Sequence, residues 1–166
     1  YNLENITFPS SLSEIDPERS AIYDTKWYEN IANSAPIYCG GIFLGFMVGY
    51  NTPYKNIKIN STYTVRAGTK TVYMNECYVD KLTTLNLPDG LKSLTIKSPR
   101  NNVNGNYKIT KLTVPESVDY VDIEGMSDLK TLKLPTTAKL GAGCFNYCTE
   151  IEILPFQREI SALKLR

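Results

Sequence analysis

Three acids, Asp119, Asp122 and Glu124, cluster just after Val118 and are the residues best suited to chemistry. Two carboxylates flanking a glycosidic bond can hydrolyse it, and carboxylate oxygens also bind calcium. No Asp-x-Asp-x-Asp-Gly loop accompanies them. They stand beside the apolar residues Val118, Val121 and Ile123, where acids keep the outer side of a strand wet. Cys144 and Cys148 are one helical turn apart, a spacing that imitates half of a zinc site. The chain has no histidine and no second close cysteine pair, so no metal or other cofactor is expected. Cys77 and Cys148 each lie just before an apolar segment and read as small buried thiols, and four cysteines including Cys39 are too few for a disulfide-dense scaffold.

The missing histidine also removes the commonest general base and with it the usual triads. Gly68-Thr69-Lys70-Thr71 looks like the end of a phosphate loop, but Tyr63 stands where the upstream glycine is needed. Asn5-Ile6-Thr7 fits a glycosylation sequon at a strand edge, a motif frequent by chance. With 18 basic and 17 acidic residues the formal net charge is +1, which gives no pull toward nucleic acid or an anionic membrane. The chain reads as non-catalytic.

The elements that position these residues follow from a repeated phrase. Leu129-Lys130-Thr131-Leu132-Lys133-Leu134-Pro135 has the form apolar, two variable positions, apolar, one variable position, apolar, proline. The same form occurs at Leu3/Ile6/Phe8/Pro9, Leu82/Leu85/Leu87/Pro88 and Ile109/Leu112/Val114/Pro115, with a partial copy at Ile160/Leu163/Leu165. The residues before each proline alternate apolar and polar, the pattern of a strand with one buried face. Proline lacks the N–H that would continue the ladder. One such strand cannot bury its leucines alone, whereas a stack of strands shares a core, and repeats of roughly 20–30 residues mark a solenoid. The fold expected is an α/β solenoid, mostly β, forming a single domain over residues 1–166.

Other segments fit around this frame. Asp16-Pro17-Glu18 reads as a helix start, with Ala21 and Ile22 on its buried side. Residues 26–60 break the repeat and read as an insertion packed over the solenoid and anchored by Trp27. Within it Ile37-Tyr38-Cys39 and Ile42-Phe43-Leu44, joined by Gly40-Gly41, form a tight hairpin. The apolar run Ile37–Tyr50 is shorter than the roughly 20 residues that a membrane helix needs. Further strands are expected at Ile57-Lys58-Ile59, Tyr63-Thr64-Val65 and Leu91/Leu94/Ile96, with Gly68 making the turn before Val72 and Cys77 and a polar loop at Arg100–Asn106. Gly141–Cys148 reads as a one-turn helix or turn that buries Phe145.

The phrases resemble the BspA-type leucine-rich repeats of bacterial surface proteins. Pro9-x-Ser11-Leu12-x-x-Ile15 and Pro115-x-Ser117-Val118-x-x-Val121 match the first half of that unit. Leu140-Gly141 with Cys144-Phe145-x-x-Cys148 matches the second half, cysteine replacing alanine. Trp27-Tyr28-Glu29-Asn30, with Ile37-Tyr38-x-Gly40, is similar to a Trp-Tyr hairpin insertion found in such proteins. Residues 66–81 depart by lacking the Ala-Phe pair, and residues 97–108 replace a half-unit with a loop. The resemblance implies an irregular, right-handed leucine-rich-repeat solenoid of short strands and turns, with the hairpin inserted. It also implies an extracellular or cell-surface location and a role in adhesion. Tyr1 follows no charged-then-apolar leader, which reads as a mature or trimmed chain.

In such a stack the polar strand residues share one exposed face. The ligand-binding candidates are Thr84, Asn86, Lys111, Thr113, Thr131 and Lys133, flanked by Asn5, Thr7, Thr64, Thr95 and Lys164. A face rich in hydroxyls and amides suits a protein or glycan on a host or neighbouring cell. Tyr54, Tyr63 and Tyr107, set among Asn and Lys, are the tyrosines expected to be exposed. Two other roles fit the same residues: a carbohydrate-binding or carbohydrate-active accessory domain using the acids and tyrosines, and a structural spacer in a longer repeat array.

Overall fold

The computed structural model describes residues 2–14, 22, 25–32, 34–46, 59–75, 79, 81–98 and 107–151. The expectations on Asp16–Glu18, Tyr54, Ile57–Lys58, Cys77, Arg100–Asn106, Lys164 and the fifth phrase lie outside these residues. The protein is mainly β. In chain order it has a one-turn helix α1 (Lys26–Glu29), then β1 (Pro36–Cys39), β2 (Ile42–Phe46), β3 (Thr62–Thr64) and β4 (Thr71–Asn75). There follow β5 (Thr84–Asn86), β6 (Ser93–Lys97), β7 (Lys111–Thr113), β8 (Tyr120–Glu124), β9 (Thr131–Lys133) and β10 (Lys139–Leu140).

Successive strands alternate between a large sheet and two small ones. The large sheet runs β1-β2-β4-β6-β8-β10 and is parallel except for the β1/β2 hairpin. Thr71, Ser93, Tyr120 and Lys139 stand in one row across it. The strands visited between them pair as β3-β5 and β7-β9, also parallel. One core lies between the two sets. Val72, Met74, Leu94, Ile96, Val121 and Ile123 enter it from the large sheet, and Leu85, Leu112 and Leu132 from the small ones.

Three of the four complete phrases are strands with the alternation their residues dictate. In β5, β7 and β9 the central leucine is buried and both flanking residues are exposed. The first phrase is different. Leu3 to Pro9 forms no strand, and Leu3 is exposed. Its backbone is engaged elsewhere: Leu3 O accepts from the Trp27 N–H, and the turn after it is tied by Gly41 N–H to Leu12 O. Ile6 and Phe8 instead pack on a second cluster built from Ile22, Ile37, Cys39, Ile42 and Leu44, where Phe8 meets Trp27 edge-on. Trp27 sits on α1, whose first turn is capped by the Thr25 hydroxyl accepting from the Tyr28 N–H.

The Gly40-Gly41 hairpin forms with Cys39 opposite Ile42 and Tyr38 opposite Phe43. It is not a layer laid over the stack. β2 pairs with β4 and so belongs to the large sheet, buried on both faces. Phe43 and Phe46 both reach the main core because Gly45, at φ +93°, accommodates a bulge that resets the alternation. Gly40, at φ +59°, turns against the first segment so closely that a Cβ would lie 2.2 Å from Pro9 O. Tyr63 joins this region instead of facing solvent. Its ring stacks on Phe43 at 5.3 Å, meets Phe46 edge-on at 4.7 Å, and its hydroxyl is 3.0 Å from that of Tyr38. Arg66 closes the group, its guanidinium over the Tyr38 ring and donating to Gly40 O at 2.8 Å. Tyr107 is fully buried, against the expectation of exposure. Among the described residues no helix is long and apolar enough to cross a membrane.

Candidate interaction surface

The residues flanking each phrase leucine point away from the core, and parallel register lines them up. Thr62 stands opposite Thr84 and Thr64 opposite Asn86, whose amide donates to the Thr64 hydroxyl at 3.0 Å. Lys111 stands opposite Thr131 and Thr113 opposite Lys133. All six candidate binding residues are therefore exposed on one side of the molecule. Lys133 lies 3.8 Å from Glu116, both well exposed. Lys111 makes no ion pair among the described residues.

The face is split. β5 and β7 pack side by side, but no hydrogen bond among the described residues joins them, so the two small sheets remain separate. The chain between β6 and β7 is where residues 97–108 depart from the repeat. A groove of about 410 Å³ runs along the seam, lined by Thr84, Asn86, Asp89, Thr110, Lys111 and Thr113 among others. Four of the six candidates thus meet in the groove, and Thr131 and Lys133 extend the surface on β9. Thr62, Asp89 and Thr110 belong to the same surface and were not singled out by sequence. Thr62 was readable from the alternation Thr62-Tyr63-Thr64. The groove offers hydroxyls, an amide, one cation and one acid, and Lys133 adds a second cation beyond it. It is equipped to bind through hydrogen bonds.

Thr95 is a correction. It lies on β6 in the large sheet and is only 7% exposed, far from the candidate face. It borders a second polar group that the sequence placed in water. Asp122 and Glu124 project from the outer side of β8 at 6% and 3% exposure. Lys97 neutralises Asp122 at 2.9 Å, and the hydrogen bond it donates to that carboxylate holds the ammonium pKa above its ordinary value. What covers them in part is the turn after β10. A Cβ on Gly141 would lie 2.6 Å from Asp122 Cγ and 2.7 Å from the Tyr120 hydroxyl. That turn is held by bonds from Phe145 N–H to Ile123 O and from Gly125 N–H to Asn146 O. Phe145 and Tyr147 both have positive φ within it, and Phe145, expected to be buried, packs on the core only in part.

Asp119 is separated from the other two acids, its side chain 74% exposed and facing Lys92 at 3.5 Å. The trio therefore does not assemble, and no group of three metal-ligating side chains occurs among the described residues. Cys39 and Cys144 are free thiols, and Ile123 N–H donates to the Cys144 sulfur at 3.4 Å. Burial pushes the Cys39 thiol to about 11 and that of Cys144 to about 12, so neither is a thiolate nucleophile near neutrality. Burial, with the Tyr38 hydrogen bond, also raises the Tyr63 hydroxyl.

These raised values set the alkaline limit of stability. The unfolded chain gives up the thiol protons near pH 9 and the Tyr63 proton near pH 10, while the folded chain keeps them. Their stabilising contribution is complete below pH 9 and is lost as pH rises through the folded values. Melting curves should show a midpoint set by other groups below pH 9 and a progressive fall above it. Cys39→Ala/Cys144→Ala should flatten that fall.

No family model matches the chain, and neither a curated protein nor a solved structure matches it.

Proposed function

We propose that this chain is a non-catalytic interaction module of an extracellular or cell-surface bacterial protein, built as a leucine-rich-repeat solenoid and serving adhesion. The reading of a solenoid is supported by strands that alternate between two sides of one core and pair in parallel with the strand of the next unit. The observation that carries the binding role is the in-register exposure of Thr84, Asn86, Lys111, Thr113, Thr131 and Lys133 beside an open groove. A rigid sheet presents these groups without ordering any loop on binding, which lowers the entropic cost of association. The partner is a protein on a host or neighbouring cell. A glycan is the second reading, favoured by the nearly neutral, hydroxyl-lined seam.

The test is a binding panel of matrix proteins and immobilised glycans, probed with wild type and with Thr84→Glu/Lys111→Glu/Thr131→Glu. Wild type should bind at least one protein ligand saturably, and the triple variant should lose it at an unchanged melting temperature. Binding to glycans alone would select the second reading. Retention of every interaction by the folded triple variant would refute both.

A further inference from the structure

A larger groove, about 640 Å³, lies on the outer side of the large sheet, where residues 10–14 pass the leading ends of β4 and β6. This volume falls within the roughly 300–1,000 Å³ typical of small-molecule sites. Its wall is fixed to the sheet: the Gly41 N–H donates to Leu12 O at 2.9 Å and the Thr71 hydroxyl to Ser13 O at 2.5 Å. The hydroxyls of Ser10, Ser13, Thr71 and Ser93 line it, with Lys70 and Lys92 on one side and no aliphatic side chain among its lining. The Tyr73 ring lines it as well, and an aromatic face set among hydroxyls suits a sugar, whose own hydroxyls would find partners on the serines and threonines.

The charges narrow the choice. Lys70 and Lys92 are neighbours across the sheet, since the Lys92 N–H donates to Lys70 O at 2.8 Å. Like charges side by side on a ladder repel. Lys92 has Asp119 on its far side at 3.5 Å, while the Lys70 ammonium donates to the Gly90 carbonyl, also at 3.5 Å. No carboxylate lies within ion-pair distance of Lys70 among the described residues. Glu14 lines the same groove. One unanswered cation with one acid nearby suits a sugar bearing a single negative charge per residue and disfavours a densely sulfated chain. We propose that this groove binds an acidic saccharide, its carboxylate set between Lys70 and Lys92 and its hydroxyls on the serine and threonine side chains. The site is separate from the strand face, so its fate does not decide that reading.

The experiment is titration calorimetry of the full chain with oligosaccharides of glucuronate, galacturonate and N-acetylneuraminate, and with maltotriose and a heparin fragment as comparators. At least one carboxylated sugar should bind saturably, with maltotriose and the heparin fragment weaker by about tenfold or more. Lys70→Gln/Lys92→Gln should lower that affinity by about tenfold or more at an unchanged melting temperature, and Lys81→Gln, at an exposed lysine that lines neither groove, should leave it unaltered. Failure of every carboxylated sugar would overturn the proposal. So would equal binding of maltotriose, stronger binding of the heparin fragment, or unchanged binding by the folded double variant.

Discussion

Leu132→Asp unfolds the protein, whereas Lys133→Asp, one residue on, leaves it folded. Leu132 is 2% exposed in the core and Lys133 extends into solvent from the same three-residue strand. Losing the leucine forfeits roughly 1.5–3 kcal/mol of apolar burial. The aspartate adds the cost of a carboxylate held without a partner in the space the leucine left. Marginal domains have about 5–15 kcal/mol in total, so the sum consumes much of the available stability. Lys133 contributes only an exposed pair with Glu116 at 3.8 Å, so its replacement should cost about 1 kcal/mol or less. Thermal melts of the two variants side by side check this. Equal losses would mean that the inside and outside of β9 have been misassigned.

Lys97→Met is the second large effect. It removes the cation from Asp122, whose side chain is 9% exposed, with Glu124 buried two residues along the same strand. Breaking a fully buried pair costs about 3–5 kcal/mol. Lys97 keeps 33% of its side chain in water, so the lower end of that span, about 3 kcal/mol, is expected. Asp122→Asn in the same chain should restore much of the loss, since an amide tolerates the site without a counter-ion. Lys92→Met is the matched control, because its pair with Asp119 is exposed on both sides and should matter by about 1 kcal/mol or less. Denaturant titration of the three variants measures the ordering. A Lys97→Met protein as stable as Lys92→Met would show that the carboxylates of β8 are hydrated after all.

Leu85, Leu112 and Leu132 were legible in the sequence because a short strand ended by proline has only one way to hide its leucine. The outward positions beside them followed from the same period of two. That period fixes which side of a strand a residue occupies and says nothing about what lies beyond that side. Leu94-Thr95-Ile96 alternates as cleanly as Thr131-Leu132-Lys133, yet Thr95 is covered and Thr131 is open. Asp122 and Glu124 show the same limit, since the turn that closes over them belongs to residues 141–148. Tyr63 and Tyr107 have polar sequence neighbours, yet the half-buried Tyr63 ring packs on Phe43 and Phe46 and Tyr107 is fully buried; for Tyr63 the cause is that neighbours along a strand point to opposite faces. The first phrase has the right residues but no strand beside it, and a lone copy is not enough. The split between β5 and β7 was hinted at only by the departure from the repeat at residues 97–108.

The stacking of phrases is tested most directly by a cross-link across β7 and β9. Lys111 and Thr131 are directly opposite and both point outward, which places their Cα atoms within the roughly 4.4–6.8 Å that a disulfide spans. Lys111 and Lys133 are out of register by two residues, which takes them beyond that reach. Under mild oxidation Lys111→Cys/Thr131→Cys should close to a disulfide in the folded protein, mapped by mass spectrometry, and Lys111→Cys/Lys133→Cys should not. Closure of the second pair but not the first, or of neither in a protein that still melts cooperatively, would contradict the stacked arrangement on which the binding face depends.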